Sequence, residues 1–230
     1  LVHLGARQLH QLRQGGEALG PERAANITLV SADAAEWIGE VALAACPNAE
    51  LCLDPFHIVR WATDALDVVR RWIWNTMRRL GLTGRAKHLK GCRYALWKNP
   101  DNLTERQQAK LAWIARHNTP LYRAYLLKEQ LRLVFAHRGN DAVALLDAWL
   151  QWARRCQIPA FVALYHRINK HRTGIIASVT HGLSNGLTES VNTKLRLLTR
   201  IAYGFRSTDN LIALCLLDRG GHCPPLPGRK

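Results

Sequence analysis

The chain has 230 residues, 48% of them hydrophobic, enough to bury a core in one domain with an insertion or in two. Its 32 Lys and Arg outweigh 17 Asp and Glu, giving a net charge of +15 and a pI near 10.2, a balance that favours a polyanion, nucleic acid ahead of a membrane surface. The sequence offers no apolar run near the ~20 residues that cross a bilayer, and no basic leader followed by an apolar core and a cleavage site.

The chain opens at Leu1 on Leu-Val-His-Leu-Gly, which reads as the tail of a strand; the expectation is an N-terminally truncated fragment. Residues 6–25 follow with helical character, restarting at Pro21-Glu22-Arg23. Asn26 to Ser31 is a short β-rich run ending at Ala32-Asp33, and Ala34 to Ala45 carries Trp37, Ile38, Val41 and Ala44 at amphipathic helix spacing. After a Pro47-Asn48 turn, Glu50-Leu51-Cys52-Leu53 forms a second strand ending at Asp54, and Pro55 opens a helix at its favoured first position. Two strands joined by a helix, each ending in an aspartate, predict a β-α-β unit with acids at its carboxyl edge.

Beyond His57 the strand signals stop. One helix runs from Pro55 toward Leu80, and others cover about 103–117, 120–137, 141–156 and 159–170, so residues 58–175 read as helical throughout. Between Arg60 and Lys98 ten Lys or Arg face only Asp64 and Asp67, with Trp61, Trp72 and Trp74 interleaved. The tryptophans are expected to pack as helical core. The six cysteines sit in apolar company without paired CxxC spacing, which fits reduced thiols; a shared zinc at Cys215, His222 and Cys223 is a weak signal.

A further helix starts at Leu187, after Ser184-Asn185-Gly186. At about 100° per residue, Leu187, Val191, Leu195, Leu198 and Ala202 line one face, and Glu189, Thr193, Arg196 and Arg200 the opposite one. On this pattern Glu189 either answers the helix dipole or serves a site. Asp33 is either a strand-end ligand or a helix N-cap before Ala34-Ala35-Glu36. His57 is either a histidine bonded to the neighbouring strand end or a residue supporting a metal or touching substrate. Carboxylates at strand ends in a basic protein suit a hard cation, Mg²⁺ (or Mn²⁺), and two such ions serve phosphodiester chemistry.

Several separated stretches resemble one family. Val30-Ser31-Ala32-Asp33, Pro47-Asn48-Ala49-Glu50, Asp54-Pro55-Phe56-His57-Ile58-Val59 and Ser184 through Lys194, closing with Ala202-Tyr203-Gly204-Phe205-Arg206, are similar to DDE transposases of the ISL3 insertion-sequence family (the IS204/IS1001/IS1096/IS1165 group). The helical middle agrees at Arg93 to Lys98, Leu121 to Glu129 and Trp149 to Ala153, so the likeness reaches about Arg219. The resemblance implies an α/β fold: a partial RNase H-like core of few strands, interrupted by a large all-helical insertion. The implied division is residues 1–57 as partial core, 58–178 as insertion, 179–219 as the returning core helix with Glu189, and 220–230 as a disordered tail.

The resemblance also implies the chemistry. Asp33 and Glu189 would be metal ligands, and Asp54 with His57 matches an Asp-x-x-His signature, although Asp54 could itself be a ligand. Mg²⁺ or Mn²⁺ would support DNA cleavage and transfer, with Arg70, Arg71, Arg78, Arg79, Lys194, Arg196, Arg200 and Arg206 carrying phosphates. The expected partners are terminal inverted repeats and target DNA, with a homo-oligomer in the synaptic complex, no membrane, and a bacterial cytoplasmic, nucleoid-associated location. Two departures stand out: nothing before Asp33 matches the family's first aspartate, since Glu17 and Glu22 sit in helical context, and the zinc-binding and helix-turn-helix regions are not present. The fragment is therefore expected to be inactive alone. Ser190 stands where a glycine is usual. The alternative is a non-catalytic DNA-binding or dimerisation remnant whose acids only cap helices.

Overall fold

The computed structural model describes residues 20–183 and 186–219, without the side chains of Glu36, residues 186–189, Val191, Asn192, Asp218 and Arg219. Most of the expected 6–25 helix, the expected tail, and His222 with Cys223 therefore lie outside the described residues. The chain divides into two compact units, Leu1–Ser184 and Asn185–Lys230.

The first unit begins with α1 (Pro21–Ala25), β1 (Leu29–Ala32), α2 (Glu36–Ala45) and β2 (Glu50–Leu53). The two strands pair in parallel, with Leu29 opposite Glu50 and Ala32 opposite Leu53. Parallel pairing requires a crossover, and α2 supplies it. The expected β-α-β unit is present. Ten further α-helices occupy the rest of the described chain, so the fold is α/β with a helical bulk.

In the first unit these are α3 (Pro55–Arg79), α4 (Thr83–Leu89), α5 (Arg93–Trp97), α6 (Glu105–His117), α7 (Thr119–Val134), α8 (Gly139–Arg155), α9 (Pro159–Lys170) and α10 (Arg172–His181). Helix α3 buries Ile58, Ala62, Leu66, Val69 and Ile73, a stripe spaced by three and four that turns one face inward. It packs on α7 and α9, while α8 packs on α7, α9 and α10. Trp149 is fully buried, and its indole N–H donates to the Leu127 carbonyl at 2.8 Å, which ties α8 to α7. Trp61, Trp74, Trp97, Trp113 and Trp152 pack against this core, as expected of the tryptophans; Trp72 does not, and lies 61% exposed.

Lys128 is buried on α7. Its ammonium donates to the Leu96 carbonyl at 2.8 Å, closing the end of α5, and pairs with Glu129. Burial pushes its pKa down. The neighbouring Tyr125 ring lies 5.0 Å from the ammonium, and burial, reinforced by Glu129, pushes the phenol pKa up to about 12.

Helix α10 closes over β2. A Cβ on Gly174 would lie 2.9 Å from Leu53 Cγ and 3.2 Å from the Leu51 carbonyl oxygen, so only glycine permits this approach. Two side-chain contacts hold the helix there: Arg172 pairs with Asp147 of α8 at 2.8 Å, and His181 Nε2 lies in hydrogen-bond range, 2.9 Å from Glu50 Oε2 at the start of β2. The second unit contains α11 (Gly186–Ile201) and α12 (Thr208–Arg219). Among the described cysteines none forms a disulfide; Cys46, Cys52, Cys92 and Cys156 are buried thiols.

Candidate metal centre and nucleic-acid surface

The strand register decides which acids meet. Because Ala32 faces Leu53, the next residue on each strand, Asp33 and Asp54, emerges side by side at the carboxyl edge. The Asp54 backbone N–H still donates to the Ala32 carbonyl at 3.0 Å, which locks that edge. His57 lies in the first turn of α3 and aims Nδ1 between the two, 3.0 Å from Asp33 Oδ1 and 2.9 Å from Asp54 Oδ2. The ligand atoms of the three residues all lie within 4.8 Å of one another. An N–H on Nδ1 offsets the repulsion that two carboxylates at this spacing would otherwise feel.

The two aspartates differ in environment. Asp54 is 1% exposed. It is the N-cap of α3: Oδ1 accepts from the Phe56 backbone N–H at 3.4 Å while Oδ2 meets His57. Asp33 is 47% exposed and meets the same imidazole from the open side. Asp33 does not cap a helix; α2 starts from Ala35, with no side-chain cap. The capping aspartate is Asp54, which proline at the first helical position also favours.

The donor set fits a hard divalent cation. Two carboxylate oxygens converge at the strand edge, that of Asp33 open to solvent and that of Asp54 buried, and Mg²⁺ and Mn²⁺ prefer oxygen. His57 already spans both acids, the geometry of a residue that orients ligands rather than replaces them. Glu189 belongs to α11 in the second unit, and its side chain lies outside the described residues.

A family model for ISL3-type DDE transposases, described as transposase, matches residues 1–215. The chain belongs to the ISL3 family of transposases. The transposase for insertion sequence element IS1557 of Mycobacterium tuberculosis (strain H37Rv) is 56% identical over 232 residues, covering 93% of this chain and 52% of that protein; the same element in strain CDC 1551 / Oshkosh matches equally. The transposase for IS1001 of Bordetella parapertussis is 30% identical over 195 residues, covering 84% of this chain and 48% of its own length. The chain thus spans about half the length of the curated relatives it matches. No solved structure matches it.

The cations singled out in this ISL3-family chain have unequal surroundings. Arg70 and Arg71 both pair with Asp67, at 2.8 and 3.1 Å, and Arg70 is only 20% exposed. Arg78 and Arg79 are exposed at the far end of α3, with Arg79 bonded to Thr76. In the second unit Lys194, Arg196, Arg200 and Arg206 are exposed, and Arg196 and Arg200 flank one hollow with Leu195 and Thr199. Free, adjacent guanidinium groups of this kind suit phosphate oxygens better than Arg70, already committed to an internal ion pair. Among the described residues no helix is long and apolar enough to cross a membrane.

Proposed function

We propose that the chain is the part of an ISL3-type DDE transposase that carries out metal-dependent DNA strand cleavage and strand transfer. The observation that carries this reading is the Asp33–Asp54–His57 cluster at the carboxyl edge of a parallel strand pair in a chain of net charge +15. The β-α-β unit would be the beginning of an RNase H-like core in residues 1–57, with residues 58–178 inserted and 179–219 returning to it. Asp33 serves as a ligand for Mg²⁺ or Mn²⁺, and Glu189 as a further acid of the same chemistry. Asp54 anchors α3 and holds His57, which fixes the Asp33 carboxylate. A bound cation would supply an activated water and a Lewis acid for the scissile phosphate. Lys194, Arg196, Arg200, Arg206, Arg78 and Arg79 hold the phosphate backbone, whether of the element ends or of the target.

The test combines Mn²⁺ calorimetry with nicking of supercoiled DNA. Expected are Mn²⁺ binding that Asp33→Asn removes, and nicking by the chain alone that is weak at best and lost in Asp33→Asn and Glu189→Gln. DNA binding without any bound Mn²⁺, unchanged in both variants, would instead support a non-catalytic DNA-binding module. That second reading draws on one observation, the use of Asp54 as a helix cap.

A further inference from the structure

We propose that a cleft between α4, α5 and the start of α6 binds an unpaired strand of DNA, with Tyr94 as the stacking platform and Lys90, Arg106 and Lys110 as the phosphate contacts. The proposal rests on the reading that the chain acts on DNA, and it concerns a surface apart from Asp33, Asp54 and His57.

The cleft encloses about 330 Å³. Its described lining contains three cations and no acid. Tyr94 stands at its wall 60% exposed, an unusual state for a large aromatic on a short helix whose neighbours Ala95 and Leu96 are fully buried. Among the described residues neither Lys90 nor Arg106 has an ion-pair partner, in contrast to Arg70 and Arg71. Lys110 is held in place: its ammonium donates to the His88 carbonyl at 2.7 Å, leaving donors for a ligand and tying α6 to the end of α4. Gly91, at φ +75°, makes the turn between α4 and α5 that brings Lys90 and Tyr94 to the same rim.

The face extends beyond the cleft. Arg106, Lys110, Trp113 and His117 follow one another at spacings of four, three and four, so they share one stripe of α6. Trp113 is sandwiched between the rings of His88 and His117, at 5.0 and 4.9 Å and within 21° and 15° of parallel. At 1.5 Å per residue the stripe is about 16 Å long, roughly the axial length of five phosphates on one strand of a duplex. A row of cations beside an exposed, stackable ring, here Tyr94, is the arrangement that holds a single strand by backbone charge and base stacking, without a sequence code. A duplex keeps its bases inside and would leave Tyr94 unused.

The assay is fluorescence anisotropy of the 230-residue chain with a labelled single-stranded 20-mer and with the matching blunt duplex, in EDTA so that no metal chemistry intervenes. Tyr94→Ala is expected to weaken single-strand binding about tenfold, and Tyr94→Phe to retain it. The pair Lys90→Ala with Arg106→Ala is expected to lower the slope of log K against log[salt] by about 1.4, at ~0.7 per lost single-strand contact. The control is Arg154→Ala with Arg155→Ala, which removes the same charge from an exposed end of α8. Circular dichroism confirms folding; all these side chains except Lys110 are exposed, and Lys110 is left unmutated. A Tyr94→Ala effect within twofold, an equal loss on the blunt duplex, or an equal fall in salt slope in the control overturns the proposal while leaving the transposase reading intact. Absence of DNA binding by the unmutated chain overturns both.

Discussion

The unequal surroundings of the two edge aspartates predict unequal consequences when each is removed. Asp54→Ala deletes an N-cap and a buried contact to His57. The cap is worth about 0.5 kcal/mol here, the low end of the usual range, because its acceptor distance is 3.4 Å. The contact to the imidazole at 2.9 Å adds about 1.5–3 kcal/mol as a charge-assisted bond. The sum, about 2–3.5 kcal/mol, corresponds to a fall in Tm of roughly 4–14 °C for a chain of this size. Asp33→Asn should cost less than about 0.5 kcal/mol, since the side chain is 47% exposed and the amide keeps an oxygen toward His57. Mn²⁺ should then close most or all of that gap. The unmutated protein and Asp54→Ala should both gain Tm, by about 2.7 kcal/mol of binding energy at a hundredfold excess over Kd, and Asp33→Asn should gain nothing. Differential scanning fluorimetry with and without Mn²⁺ measures both. If Asp33→Asn unfolds as early as Asp54→Ala in the absence of metal, the assignment of Asp33 to ligation and Asp54 to support is wrong.

Other perturbations probe the scaffold. The Tyr125 phenol has a pKa of about 12 in the fold against about 10 unfolded, so the folded state holds its proton more tightly; this stability is whole below pH 10 and disappears as pH rises to 12. Tyr125→Phe should flatten the alkaline side of a Tm–pH profile, and an unchanged alkaline limb would count against it. Gly174→Ala should lower the urea midpoint: forcing a Cβ to 2.9 Å from Leu53 Cγ costs about 1–3 kcal/mol, more than offsetting the ~1 kcal/mol alanine gains in a helix. Trp149→Phe should cost about 2 kcal/mol from the lost bond to the Leu127 carbonyl and lost volume; a Tm within 1 °C of the parent would refute the account of the α7–α8 contact.

The β-α-β unit was legible because its signals are local: two apolar runs, a Pro-Asn turn and Pro55 after Asp54 leave few alternatives. That Asp33 and Asp54 would share an edge also follows from that pattern. Which of them would cap a helix did not. Asp33 precedes a run of alanines and glutamate that looks cappable, yet the chain spends Ala34 and Ala35 before α2 begins, and the cap falls to Asp54. The pairing of Arg70 with Asp67 was visible only as an i,i+3 spacing among many charges, and its burial depends on packing that no local pattern encodes. The α4–α6 cleft escaped notice for the same reason. Its residues come from three helices joined by a turn at Gly91 and by the segment 98–104, and Arg106 and Lys110 are separated by uncharged residues that hide the stripe. The side chain of Glu189, on which the sequence placed most weight, lies outside the described residues.

Helix α3 has a mechanical consequence. It is rooted at its first residue by the Asp54 cap and by His57, and after Pro55 the rest of its 25 residues contain neither glycine nor proline. Such a segment has no built-in hinge and behaves as a stiff rod about 37 Å long. Its far end, where Arg78 and Arg79 lie, is exposed, while five apolar residues between Ile58 and Ile73 seat the rest of it on α7 and α9. The same rod that carries His57 thus also carries the stripe Ile58 to Ile73 that packs on α7 and α9, so the position of the imidazole is set by the packing of the whole helix.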